Sequence, residues 1–152
     1  SNFREEWSQS TRLNAPAKSR TTMNVSAIVE GFEVEDGDVL VAYSNGEALG
    51  EATVHSDSSD EISPLYLSIA GDSKEDIWFA IERDGDIIAT TGELMQYKAN
   101  AVIGSPDEPA QISFTKTSSD NGSWYTVSGV QLPTRPTAAG VYIFNGKKIV
   151  IQ

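Results

Sequence analysis

The chain has no cysteine. Disulfide frameworks, zinc–thiolate sites and thiol nucleophiles are therefore excluded. It has one histidine, His55, which rules out a multi-histidine metal centre. Positive charge is scarce: 11 Lys and Arg stand against 22 Asp and Glu, a net charge of −11. Nucleic acid and anionic membrane surfaces would repel such a chain, so neither is expected as a partner. No apolar run approaches the roughly 18 residues needed to span a bilayer as a helix. The chain begins at Ser1 without a charged, then apolar leader, which reads as a mature fragment of something longer.

What is present is period-two alternation punctuated by tight-turn dipeptides. At 152 residues the chain is long enough for one domain with a small appendage. Residues 1–21 are polar, with Phe3, Trp7 and Leu13 the bulky apolar groups; they read either as a short amphipathic turn or as a linker whose Trp7 tucks onto the adjoining domain. From Thr22 the alternation predicts a strand with Met23, Val25, Ala27 and Val29 on its core face. Residues 38–54 are two extended runs around Asn45-Gly46, the signature of a type I′ hairpin. A two-residue turn there sets Tyr43 against Ala48, Val41 against Gly50 and Val39 against Ala52, large residues facing small ones.

Residues 55–64 are polar and serine-rich, a surface loop, and Leu65, Leu67 and Ile69 alternate in the next strand. Residues 73–83 pose a conflict: Ser73 to Asp76 has the form of a helix capping box, but the apolar run ends after about seven residues at Asp84-Gly85, too short for a helix. Ile77, Trp78 and Phe79 also favour strand, so a second hairpin is expected, pairing Ile81 with Ile88 and Ala80 with Ala89. Residues 93–101 contain good helix formers and read as a helical turn or an irregular strand. A last strand covers Gln111 to Phe114. Short strands with closely spaced turns and no long helix predict an all-β fold, an antiparallel β-sandwich (Ig-like or jelly-roll-like) over residues 22–115.

Residues 116–123 form a polar linker, and 124–152 a small C-terminal β-hairpin unit. In its Asn145-Gly146 hairpin Tyr142 faces Ile149 and Val141 faces Val150, so both faces are apolar. A few short strands cannot hide two apolar faces. The unit must dock on the sandwich or be received by another protein, and Trp124 and Tyr142 are the candidate anchors.

The stretches 23–29, 38–52, 65–71, 77–79 and 101–109 resemble a β-sandwich module found in exported, multidomain surface proteins of Bacteroidetes. The usual pattern has an arginine before the Gly50 position, where this chain has Leu49. Residues 125–129, 140–143 and 145–151 are similar to the sorting domains of the type IX secretion system. These resemblances imply an exported protein, secreted or held at the cell surface and outer membrane, and a terminal unit that sorts or docks. They imply as partners the other domains of a longer chain, the export machinery, or a cell-surface protein or glycan.

Reactive groups are few. His55, Ser56 and Asp57 are the residue types of a hydrolytic triad, but neighbours in sequence cannot place an imidazole between a hydroxyl and a carboxylate. Acidic clusters at Glu33/Glu35/Asp36/Asp38, Asp57/Asp60/Glu61 and Asp72/Glu75/Asp76 offer oxygens for calcium, though none has EF-hand spacing. Paired acids for glycoside hydrolysis would need a cleft that short loops do not make. Aromatics in a sandwich are mostly core, and Trp7 is the candidate for stacking on a ligand. The expectation is a noncatalytic structural or adhesion-like module with no catalytic residue and no cofactor, calcium aside. The alternative is a carbohydrate-binding module.

Overall fold

The computed structural model of the chain describes residues 21–55, 64–71, 76–91, 93–117 and 122–152. Every regular element among them is a strand. In order they are β1 (Thr21–Glu30), β2 (Val39–Ser44), β3 (Glu47–Thr53), β4 (Leu65–Gly71), β5 (Asp76–Arg83), β6 (Asp86–Thr91), β7 (Met95–Gln96), β8 (Val102–Ile103) and β9 (Ala110–Lys116). The terminal unit adds β10 (Trp124–Thr126), β11 (Gln131–Leu132), β12 (Gly140–Phe144) and β13 (Lys147–Ile151). Among the described residues no helix is long and apolar enough to cross a membrane.

The chain folds as a β-sandwich. One layer is β4–β1 with β8 and the first half of β9; the other is β3–β2–β5–β6 with the second half of β9. β9 joins the layers. Ala110 to Ser113 run parallel to β1, then Phe114 to Lys116 pair antiparallel with β6. The pairings of β8 and β9 with β1 are parallel, unlike the all-antiparallel expectation, because the chain passes from β8 through residues 104–109 into β9 without reversing and so follows β1 in its own direction. Opposite β9, the edge strands β3 and β4 nearly touch: a Cβ on Gly50 would lie 2.6 Å from the Ser68 carbonyl oxygen. Only a residue without a side chain fits that approach.

Alternation supplies the core between the layers. Met23, Val25 and Ala27 on β1, Leu67 and Ile69 on β4, Leu40 and Ala42 on β2 and Ile77, Phe79 and Ile81 on β5 meet there, all fully or almost fully buried. The predicted hairpins exist, but two registers slip by one residue. Tyr43 does pair with Ala48, whereas Val41 pairs with Glu51 and Val39 with Thr53. In β5–β6, Ile81 pairs with Ala89 and Ala80 with Thr90. Each slip is a β-bulge, and each brings one more apolar side chain inward, Leu49 in the first and Ile88 in the second. The first turn also departs from type I′. Asn45 has φ 53° but Gly46 lies outside the left-handed region, while Asp84-Gly85 and Asn145-Gly146 have both angles positive. Of the two readings left open for residues 93–101, the strand is the one found: β7 pairs with Asp76 and Ile77.

The terminal unit is a four-stranded antiparallel sheet, ordered β11–β10–β12–β13. Its hairpin has the expected register, Tyr142 with Ile149 and Val141 with Val150. It lies as a third layer against the outer face of the β2–β5–β6 sheet, so the middle sheet is covered on both sides.

Candidate functional site

The seam between the middle and terminal sheets arises from the runs 39–43 and 77–81. A strand with one buried face alternates apolar and polar; a strand buried on both faces is apolar throughout. In β2, Leu40 and Ala42 enter the sandwich core while Val41 and Tyr43 face the terminal sheet. In β5, Ile77, Phe79 and Ile81 point inward, and Trp78 and Ala80 point to the seam. From the other side come Tyr125 and Ile143, direct partners across β10 and β12, with Val127 and Val141 beside them. Ile143 is fully buried.

Polar groups in the seam are paired almost without exception. The Tyr43 and Trp78 rings stack with centroids 4.6 Å apart. The Trp78 indole N–H donates to the Asn45 carbonyl at 3.2 Å, and the Tyr43 hydroxyl donates to the Glu82 carboxylate. Burial and then the neighbouring Glu82 push the Tyr43 hydroxyl pKa well up, so it remains a donor. Lys148 Nζ donates to the Gly46 carbonyl at 2.5 Å and sits 4.6 Å from the centre of the Tyr43 ring. At the rim the Ile87 N–H donates to the Gly146 carbonyl at 2.7 Å, and Lys147 reaches Asp86 at 2.7 Å. Thr117, just past β9, is buried and donates to the carbonyls of Ile87 and Ile88. Among the described residues the exception is the Thr90 hydroxyl, buried without a hydrogen-bond partner.

No family model, curated protein or solved structure matches this chain. What its parts can do is therefore read from their own geometry.

The acidic turn before β2 is closed on itself. Asp38 is almost fully buried and accepts both arms of the Arg83 guanidinium, at 2.8 and 2.9 Å, and the Glu35 backbone N–H at 2.8 Å. Burial opposes its ionisation, but the Arg83 fork and the Glu35 N–H outweigh that and hold its pKa below the usual carboxylate value. Arg83 also pairs with Glu35 at 3.3 Å and lies 5.8 Å from the Phe32 ring centre. Two of the four acids suggested for calcium thus serve an internal arginine. Among the described residues no three His, Asp or Glu side chains are grouped to hold a metal ion.

Trp7, Ser56, Asp57, Asp60, Glu61, Asp72 and Glu75 lie outside the described residues. His55 is exposed just beyond the end of β3, and Asp76 begins β5. Trp124 and Tyr142 belong to the face of the terminal sheet opposite Tyr125 and Ile143, by strand alternation. Trp124 stacks on Phe144 at 4.4 Å with Arg135 5.4 Å from its ring, and the Tyr142 hydroxyl donates to the Ala138 carbonyl at 3.0 Å. Both tie the terminal unit to itself; the seam is filled by their sequence neighbours Tyr125 and Ile143. The two-residue turn at Asn145-Gly146 already places Val141 and Ile143 on one face. With apolar residues on both faces, the sequence carries no signal for which face turns inward. Lys148 is not recognisable from the sequence because its role depends on a contact between sheets far apart in the chain, and Glu82 because its role depends on β2 and β5 being neighbours in one sheet.

Proposed function

We propose that this chain is a noncatalytic, adhesion-like structural module of an exported bacterial surface protein, with a terminal sheet that serves as a sorting or docking unit. The observation that carries the reading is the construction of the seam. The terminal sheet is a complete antiparallel layer of its own, joined to the sandwich by apolar side chains and a few polar pins. Such a layer can be presented to a receptor as a unit while the sandwich behind it stays folded. The resemblance of residues 140–151 to type IX sorting domains supports the export half of the reading.

The test is surface display in a host with that secretion system, comparing the chain with a version lacking residues 124–152. Total protein and surface-exposed protein are measured separately. Normal total with lost surface exposure is the expected result; normal total with unchanged exposure refutes a sorting role. Loss of the total itself reports only that the seam was stripped of its cover. In that case a chain keeping the seam but carrying Trp124→Ala on the far face is scored the same way.

A further inference from the structure

With the middle sheet covered on both sides, the outward face of the β4–β1–β9 layer is the broad face of the sandwich left open among the described residues. Register puts Asn24 beside Ser68, Gln111 beside Ile28, and Ser26, which is itself buried, beside Tyr66. The side chains on this face are hydroxyls, amides, one tyrosine and a few aliphatic groups. Among the described strand residues of this face none is charged until Glu30 at the end of β1, while the exposed Asp107 and Glu108 stand on the connection between β8 and β9. Tyr66 is 62% exposed and Val102, beside Asn24 on the same face, is 72% exposed.

Tyr66 also differs from the other described tyrosine and tryptophan side chains. Tyr43 and Trp78 are stacked on one another, Tyr97 and Tyr125 are buried, Trp124 lies against Phe144 and Arg135, and Tyr142 is hydrogen-bonded. The Tyr66 ring has no ring or hydrogen-bond partner among the described residues.

The geometry points to this face as a binding surface for a neutral polysaccharide, laid along β4 and β1 with one sugar ring on Tyr66. The C–H face of a sugar packs on an aromatic ring, and its hydroxyls exchange hydrogen bonds with short amide and hydroxyl side chains such as Asn24, Ser68 and Gln111. An uncharged polymer escapes the repulsion that a net charge of −11 imposes on an anionic one. A protein partner fits less well, since protein interfaces concentrate several aromatics, Met and Arg in a dry centre. Side chains on one strand face repeat about every 6.6 Å and neighbouring strands lie about 4.8 Å apart, so an extended chain is matched better than one enclosed sugar. This assignment is separate from the export reading: a terminal sheet that sorts nothing leaves this face unchanged.

The experiment is native electrophoresis of the whole chain through gels that each contain one polymer. The neutral probes are soluble starch, galactomannan and mixed-linkage β-glucan; the anionic probe is polygalacturonate. The expected result is retardation by at least one neutral polymer and none by polygalacturonate. Tyr66→Ala should weaken that retardation at least about fivefold, and Tyr66→Phe, which keeps the ring, should retain most of it. Gln111→Ala, which spares the ring, should weaken it in the same direction and serves if Tyr66→Ala fails to fold. Retardation by no neutral polymer overturns the proposal. So does retardation by polygalacturonate, unchanged retardation of Tyr66→Ala and Gln111→Ala, or a protein ligand at this face in place of a polymer.

Discussion

The sharpest test of the three-layer arrangement is Ile143→Ala. Ile143 is fully buried, and its cluster partners include Val41, Tyr43, Trp78, Ala80 and Ile87, all on the sandwich side of the seam. The substitution removes three carbon atoms. At about 0.8 kcal/mol for each buried methylene the transfer loss is about 2.4 kcal/mol. Incomplete collapse around the space left raises the expected loss to about 2.5–4 kcal/mol. For a chain of this length that is a fall in Tm of about 6–15 °C. Val150→Ala is the control, since Val150 lies on the same unit but is 52% exposed; its effect should stay within about 0.5 kcal/mol. Urea unfolding measured by tryptophan fluorescence and by far-UV circular dichroism reads both variants. Trp78 lies in the seam, so the fluorescence transition should move with Ile143→Ala. Equal, small shifts for the two variants would mean that the terminal sheet is not held by this seam, and the three-layer packing would be refuted.

Other perturbations probe separate contacts. Thr90→Val keeps the shape of a fully buried side chain and removes an unpartnered hydroxyl, so it should raise stability by about 1 kcal/mol; a loss would reveal a partner for that oxygen. At Gly129, φ is 87° and a Cβ would lie 2.7 Å from Thr115 Cβ, while Gly122 has φ 72° and open space. Gly129→Ala should therefore cost more than Gly122→Ala, by about 1–3 kcal/mol in thermal melts. Lys148→Met should destabilise more than Lys147→Met, because Lys147 and Asp86 form a solvent-exposed pair worth under about 1 kcal/mol. Asp38 gives a pH dependence. Its folded pKa is depressed, so its contribution is complete above the unfolded value of about 3.9 and is lost as pH falls through the folded one. Tm should drop more steeply below about pH 4 in the parent than in Asp38→Asn, and parallel profiles would contradict that.

Much of this fold is legible in the sequence because alternation and turn chemistry agree with the final packing. Period two alone places Met23, Val25, Leu67 and Ile69 on the core. Asp84-Gly85 and Asn145-Gly146 are legible as turns because few residues accept two positive φ angles in succession. The strand at 76–83 overcomes a helical capping pattern because Ile77 to Ile81 are apolar at every position, as a doubly covered strand demands. The failures have a common cause. Leu49 and Ile88 enter the core through bulges, and a bulge depends on the space the opposing layer leaves. Residues 93–101 leave helix and strand open, and the strand forms at Met95 and Gln96 because Asp76 and Ile77 offer an edge there.

The same distinction explains why the expected anchors, Trp124 and Tyr142, stand one residue away from the side chains that fill the seam. Trp124 is the largest side chain of the terminal unit, but Tyr142 is no larger than Tyr125, so size does not separate its two faces. The pairing of Trp124 with Phe144 and of Thr126 with Tyr142 keeps both on the far face, while Tyr125 and Ile143 share the near one. The near face is also the one that supplies Lys148, whose ammonium group meets a backbone carbonyl and a tyrosine ring of the middle sheet. A far face of Trp124, Phe144, Tyr142 and Ile149 is then half-covered by the chain's own Arg135 and Ala138 segment. Turning the sheet over would bury Trp124 against Val41 and Ala80 but strip it of Phe144 and Arg135 only if the strands also re-paired. It would also expose Ile143 and move Lys148 away from Gly46. The orientation is therefore set by the whole set of neighbours on each face, and no single large side chain decides it.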